Sequence, residues 1–216
     1  MKKSFRLDFL EQLEALRVRL QNLVPTESWR DMMGAAHDRA FVVAGAMEVA
    51  LLSDLAAAVE EAITAGLGIE AFRQRFDEIV GQAGWDYTGE RGWRTRTIYA
   101  TNIRTSYSAG RLAQLRDPAL QAVAPYWMYR HGGSPEPRPQ HLEWDGLTLP
   151  ADHPWWDTHY TPNGFGCSCY VIAVDRETAE RMGGRFEEPP PGLDGVDEGW
   201  DYMPGNSVEE DVRRIR

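Results

Sequence analysis

Apolar positions recur at helical spacing through the first half of the chain and give way to short extended runs in the second. Phe9, Leu13, Leu16 and Leu20 fall on one face with charges between them, and Pro25 closes the pattern, so the first element reads as a helix. Thr26 or Ser28 is placed to cap a second helix carrying Trp29, Met32 and His37. From Met47 to Ala65 the chain is rich in Ala, Leu and Glu. Leu51, Leu55, Val59 and Ile63 share a face there, and Gly66 stands where a left-handed C-terminal residue belongs. A shorter helix over about Glu70 to Gln82 presents Phe72, Phe76, Ile79 and Val80 and stops before Gly84-Trp85. The longest spans about Gly92 to Leu115 and is halted by Asp117-Pro118, because proline cannot donate to a helix interior and disfavours helical backbone before it.

That long helix is unusual in its stripe. Ile98, Ala109 and Leu112 share it with Asn102 and Thr105, and Arg104 sits beside them. A polar group on a buried stripe must find partners or cost stability. The stripe therefore predicts a hydrogen-bonded cluster that fixes another part of the chain against the helix.

Beyond Pro118 the composition shifts. Tyr126–Arg130 and Tyr170–Val174 read as strands. Between them lie His131, His141, His153 and His159, four of the five histidines, among many Pro, Gly and Trp. Asp175 is placed to cap a short helix through Arg181, Glu187 to Gly192 reads as a Pro-rich linker, and Ser207 with Glu210 forms a capping-box pattern. The predicted fold is α+β, a mostly helical N-terminal half followed by a small, loop-rich, β-containing C-terminal part. The divisions fall at residues 1–117, 118–186 and 187–216, the last being the linker and a short helix.

Charge narrows the function. With 33 acidic against 23 basic residues the net charge is −10, a field that repels nucleic acid and anionic membrane. Arg91, Arg94, Arg96 and Arg104 nevertheless lie close together. Lys2 and Lys3 are followed by Arg6 and Asp8, which break any secretory apolar core. The longest apolar run, Ala40 to Met47, is far short of the ~20 residues a bilayer requires. A soluble protein made in the cytoplasm is expected.

The two cysteines, Cys167 and Cys169, stand one residue apart, too close to bridge without strain. They are either buried thiols or metal ligands. As ligands they suit zinc, which takes thiolate and imidazole in a tetrahedral shell. His141 with Cys167 and Cys169 is the expected trio, completed by His159, His153 or Asp145. Four protein ligands would make a structural zinc that staples the segment; an open fourth position could activate water.

The run His141-Leu-Glu-Trp-Asp145-Gly146, then His153-Pro-Trp-Trp-Asp157-Thr-His159-Tyr-Thr-Pro162-Asn-Gly164-Phe-Gly166-Cys167-Ser-Cys169, resembles the signature of the phage Mu F-like head-morphogenesis family, minor capsid proteins of tailed phages and prophages. Ser168 stands where that family usually has arginine. The helix Thr97 to Thr105 with Gly110-Arg111, the His37 to Phe41 stretch with Trp85, and Gly199 to Gly205 are similar to other parts of the family, so the resemblance covers roughly Trp29 to Gly205.

The resemblance implies a component of procapsid assembly near the portal vertex that in some phages stays in the head and influences DNA packaging or ejection, found in the virion (capsid interior or portal vertex) and, during assembly, in the host cytoplasm. The portal and major capsid proteins are its expected partners, with packaged DNA touched only weakly and no membrane. It supplies no catalytic residues. It implies that His141, Asp145, Gly146, Cys167 and Cys169 form the core of the C-terminal part, and that Thr101, Asn102, Arg104 and Thr105 pin the central helix to it. The rival from another class is a metal-dependent hydrolase or nuclease built on His141, Asp145 and the cysteines. A toxin-like effector has little room, since only a linker and a short helix follow Arg181.

Overall fold

A computed structural model describes residues 9–214; Lys2, Lys3, Arg6 and Asp8 lie outside them. The helices are α1 (Leu10–Leu20), α2 (Val49–Ala65), α3 (Ile69–Ala83), α4 (Arg91–Leu115), α5 (Pro118–Val123), α6 (Pro139–Glu143), α7 (Trp156–His159), α8 (Arg176–Arg181) and α9 (Glu209–Arg213). The strands are β1 (Tyr126–Arg130), β2 (Thr148–Pro150) and β3 (Tyr170–Val174). The fold is α+β, as the sequence predicts. Among the described residues no helix is long and apolar enough to cross a membrane.

The 25 residues of α4 make a rod of roughly 37 Å, and both cores are built on it. Its first half contributes Ile98 to a core with Leu16, Phe41, Leu52, Leu55, Val59, Phe72 and Phe76. Its last turns contribute Leu112 and Leu115 to an aromatic core with Trp127, Tyr129, Trp144, Trp155, Trp156 and Tyr160. α1 crosses α4 closely because Gly110 has no side chain: a Cβ there would stand 2.5 Å from the backbone nitrogen of Gln12. The periodic elements end where expected, with Gly66 and Gly84 closing α2 and α3 in left-handed conformation.

The sheet is antiparallel in the order β2-β1-β3. Trp127 pairs with Leu149 on one side and Ala173 on the other. Side chains alternate across a strand: Trp127 and Tyr129 enter the aromatic core, while Met128 packs with Val174 and Ala179 under α8. Both faces of β1 are thereby buried, which explains its almost unbroken apolar sequence.

Several expectations are corrected. No helix carries Trp29, Met32 and His37; the stretch is two 3-10 turns, Trp29–Asp31 and Gly34–Asp38, separated where Gly34 takes a φ of 61°. Ser28 does cap, in a reciprocal box with Asp31. Ser207 does not cap α9, because its hydroxyl donates to Asp38 across the molecule. The buried face of α1 is Gln12, Ala15, Leu16 and Arg19, so two polar residues replace part of the predicted apolar stripe. The short α5, α6, α7 and β2 carry too few residues to show a period, and only Asp117 before Pro118 signals α5.

The segment after Glu187 folds back against the aromatic core and the 28–38 stretch. Asp194 accepts from Gln140, Asp197 from Arg138 and Glu198 from Arg30. Trp200, Tyr202 and Met203 are buried, and the Gly205 N–H donates to Asp38 at 2.9 Å.

Candidate functional site

α6 carries His141 under the sheet, and the extended chain entering β3 carries Cys167 and Cys169, whose side chains fall on one side because alternate residues of extended backbone do. All three are buried. His141 Nδ1 stands 3.7 Å from Cys167 Sγ and 3.5 Å from Cys169 Sγ. The opposite ring nitrogen, Nε2, donates to the Gly195 carbonyl at 2.8 Å. Trp144 stacks on the imidazole with centroids 5.0 Å apart. Backbone N–H groups of Asn163 and Gly132 donate to Cys167 and Cys169 respectively. Gly132 must be glycine for this approach, since a Cβ would overlap the Ser168 carbonyl.

The thiols influence each other strongly. The hydrogen bond from Cys169 pulls the pKa of the Cys167 thiol well below its ordinary value, helped by His141 and opposed by burial. Cys169 is pushed up by Cys167 and by burial.

The trio opens on a cleft of about 740 Å³ between α4 and the 131–138 loop, lined also by Arg96, Arg104, His131, Glu136 and Arg138. Arg104 donates to the carbonyls of Gly166 at 2.6 Å and Cys167 at 2.9 Å. Arg138 donates to Asp197 at 2.6 Å and to the Phe165 carbonyl. These two guanidiniums tie the cysteine loop to α4 and to the C-terminal segment.

The structure therefore brings together His141, Cys167 and Cys169, and among the described residues these are the His, Cys and carboxylate groups that converge. His159 does not join them. It stacks on Trp155 at 4.2 Å, and its Nδ1 lies 3.2 Å from the Trp155 carbonyl. His153 Nδ1 accepts from Trp155 N–H. Asp145 is also engaged elsewhere, accepting from Arg130 Nε at 3.0 Å and His131 N–H at 2.8 Å.

The polar residues of α4 divide their work. Arg104 alone of the predicted four reaches the C-terminal part through its side chain. Asn102 and Thr105 instead face α1, accepting from Arg19 at 2.6 and 3.0 Å, and Thr101 offers its carbonyl to Thr105. Sequence reasoning missed Arg19, Gln12 and Asp38. Arg19 lies three residues beyond Leu16 on the buried face, the one signal that could have flagged it. Nor do the arginines of α4 form a free basic stripe. Arg91 pairs with Asp77 at 2.6 Å, and Arg94 lies over Trp85 and donates to the Ala44 carbonyl.

A helical half and a small sheet share one long helix in this α+β domain, with a Cys-x-Cys strand entry facing a helix-borne histidine. The family model described as Phage Mu protein F like protein matches residues 53–172. The putative capsid assembly protein F of Escherichia phage Mu is 33% identical over 172 residues, covering 73% of this chain and 39% of its own length. The Mu-like prophage FluMu F protein of Haemophilus influenzae is 33% identical over 168 residues, covering 73% of this chain and 40% of its own. The chain belongs to the phage Mu F-like family. It spans about two fifths of the length of these relatives. No solved structure matches it.

Proposed function

We propose that this chain serves capsid assembly as a minor head component, acting near the portal vertex through contacts with the portal and major capsid proteins and not through catalysis. The observation that carries the reading is the 33% identity, over most of this chain, to a protein named for capsid assembly. The surface supports it. Trp29, Trp93 and Phe165 are exposed around a cleft of about 560 Å³, and exposed aromatics are the side chains that most often anchor protein partners. The net charge of −10 argues against a role in coating packaged DNA.

The test is co-expression with the portal and major capsid proteins of the same phage or prophage, followed by capture on the tagged chain and nuclease assays on the same preparation. Retention of the portal protein at physiological salt, lost or weakened in a Trp29→Ala/Trp93→Ala variant, is expected. Retention of neither capsid protein, together with metal-dependent cleavage of DNA that His141→Ala abolishes, would establish the hydrolase reading instead.

A further inference from the structure

We propose that His141, Cys167 and Cys169 bind a borderline-soft divalent cation of the zinc class, with the fourth coordination position open to the cleft beneath α4. The inference rests on geometry within this chain and is independent of the capsid reading.

The tautomer comes first. A carbonyl oxygen can only accept, so the 2.8 Å bond from His141 Nε2 to Gly195 places a proton on Nε2. In the neutral ring Nδ1 then carries a lone pair, and a metal-ligating histidine typically donates its other nitrogen in this way. That single lone pair faces two sulfurs at once, 3.5 and 3.7 Å away. It can accept only one S–H at a time, so both sulfurs converge on a single acceptor atom.

A cation between them serves all three. For Zn–S of about 2.3 Å and Zn–N of about 2.0–2.1 Å, the edge of a tetrahedron from nitrogen to sulfur is roughly 3.5–3.6 Å. The two nitrogen–sulfur separations, 3.5 and 3.7 Å, fit that edge, and all three ligand atoms lie within 4.8 Å of one another. The backbone N–H donors of Asn163 and Gly132 stabilise charge on the sulfurs, and Arg104 holds the carbonyls of Gly166 and Cys167, fixing the loop that presents the first of them.

A fourth protein ligand is lacking among the described residues. His153, His159 and Asp145 are held by other partners, and the three ligating residues line the cleft. The remaining apex of the tetrahedron therefore points to space that solvent or an external donor fills. Arg96 and Arg104 line the same cleft against one carboxylate, Glu136, while Arg138 is paired with Asp197, and this balance favours an anionic donor there.

The experiment uses the full chain, stripped with chelator under reducing conditions and reloaded with Zn²⁺ or Co²⁺. One equivalent of metal is expected, with a rise in melting temperature. Cobalt should give thiolate charge-transfer absorption and the intense ligand-field bands of a tetrahedral site. Cys167→Ser and Cys169→Ser should each reduce the charge-transfer absorption, and His141→Ala should lose stoichiometric binding. His141→Cys, which keeps a ligand, should retain it, whereas His153→Ala and His159→Ala should leave the spectrum unchanged. Added imidazole or thiocyanate should shift the ligand-field bands by entering the open position. Substoichiometric metal in the folded protein, or binding indifferent to both His141 variants, would overturn the site. Ligand-field bands that no added donor moves would overturn the open position.

Discussion

Arg19 on α1 donates a 2.6 Å hydrogen bond to Asn102 Oδ1 on α4, both side chains being buried. The same guanidinium donates to Thr105 Oγ1 at 3.0 Å and to the Ala40 carbonyl. The positive charge is fully desolvated, which lowers its pKa, and the nearby carboxylate of Asp38 and phenol of Tyr202 offset this. The helical half is thus held by a charged polar knot as well as by apolar packing.

The two partners should not be equivalent. Asn102→Leu leaves a buried guanidinium without its shortest acceptor and should cost about 3 kcal/mol or more, whereas Arg19→Met leaves neutral groups unpaired and should cost about 1–3 kcal/mol. Urea unfolding of both variants checks the order; equal losses would show that the charge finds other acceptors.

Gly110→Ala raises intrinsic helix propensity by about 1 kcal/mol, yet its methyl would meet the α1 backbone. Backbone cannot yield as a flexible side chain can, so a net destabilisation of about 1–3 kcal/mol is expected. A rise in melting temperature would refute the close crossing of α1 and α4.

His37 has its pKa lowered from the ordinary 6.5 to about 4, by burial first and then by the charge of Arg19, with a hydrogen bond to the Met32 backbone opposing. Below pH 6.5 the unfolded chain takes up a proton that the folded chain refuses. The stability this neutral histidine confers is present above pH 6.5 and falls away toward pH 4, by up to about 3 kcal/mol. His37→Gln should flatten the difference in stability between pH 6.5 and 5, and parallel pH profiles for the two proteins would exclude the effect.

Arg104→Met removes the bonds that tie Gly166 and Cys167 to α4. Amide exchange should speed up over residues 164–169 while α2 and α3 keep their protection, because charge-assisted bonds to carbonyls are worth about 1.5–3 kcal/mol and act here on one loop. Uniform acceleration across the chain would mean that the clamp supports the whole fold.

Local pattern was enough wherever an element was long or strongly biased. α2, α3 and α4 follow from apolar spacing and terminal glycine or proline, and β1 and β3 from dense β-branched and aromatic runs, because these preferences act within a few residues of chain. The 29–38 stretch failed since Gly34 outweighed an apparent helical spacing. The candidate trio was legible as chemistry, a Cys-x-Cys with histidines upstream, but which of His159, His153 or Asp145 would join it was not, and the structure brings in none of them.

By itself the sequence determined the helical half, the strands β1 and β3, the family signature and the ligand types available. The tertiary structure decided which polar groups meet. Arg19 and Asn102 lie 83 residues apart, Asp38 and Gly205 lie 167 apart, and His141 reaches Cys167 across 26. No local periodicity encodes such pairs. They form because burying α4 and the C-terminal segment strips water from polar groups that must then find each other. His159 is excluded from the cysteines for the same reason, its ring being committed to Trp155.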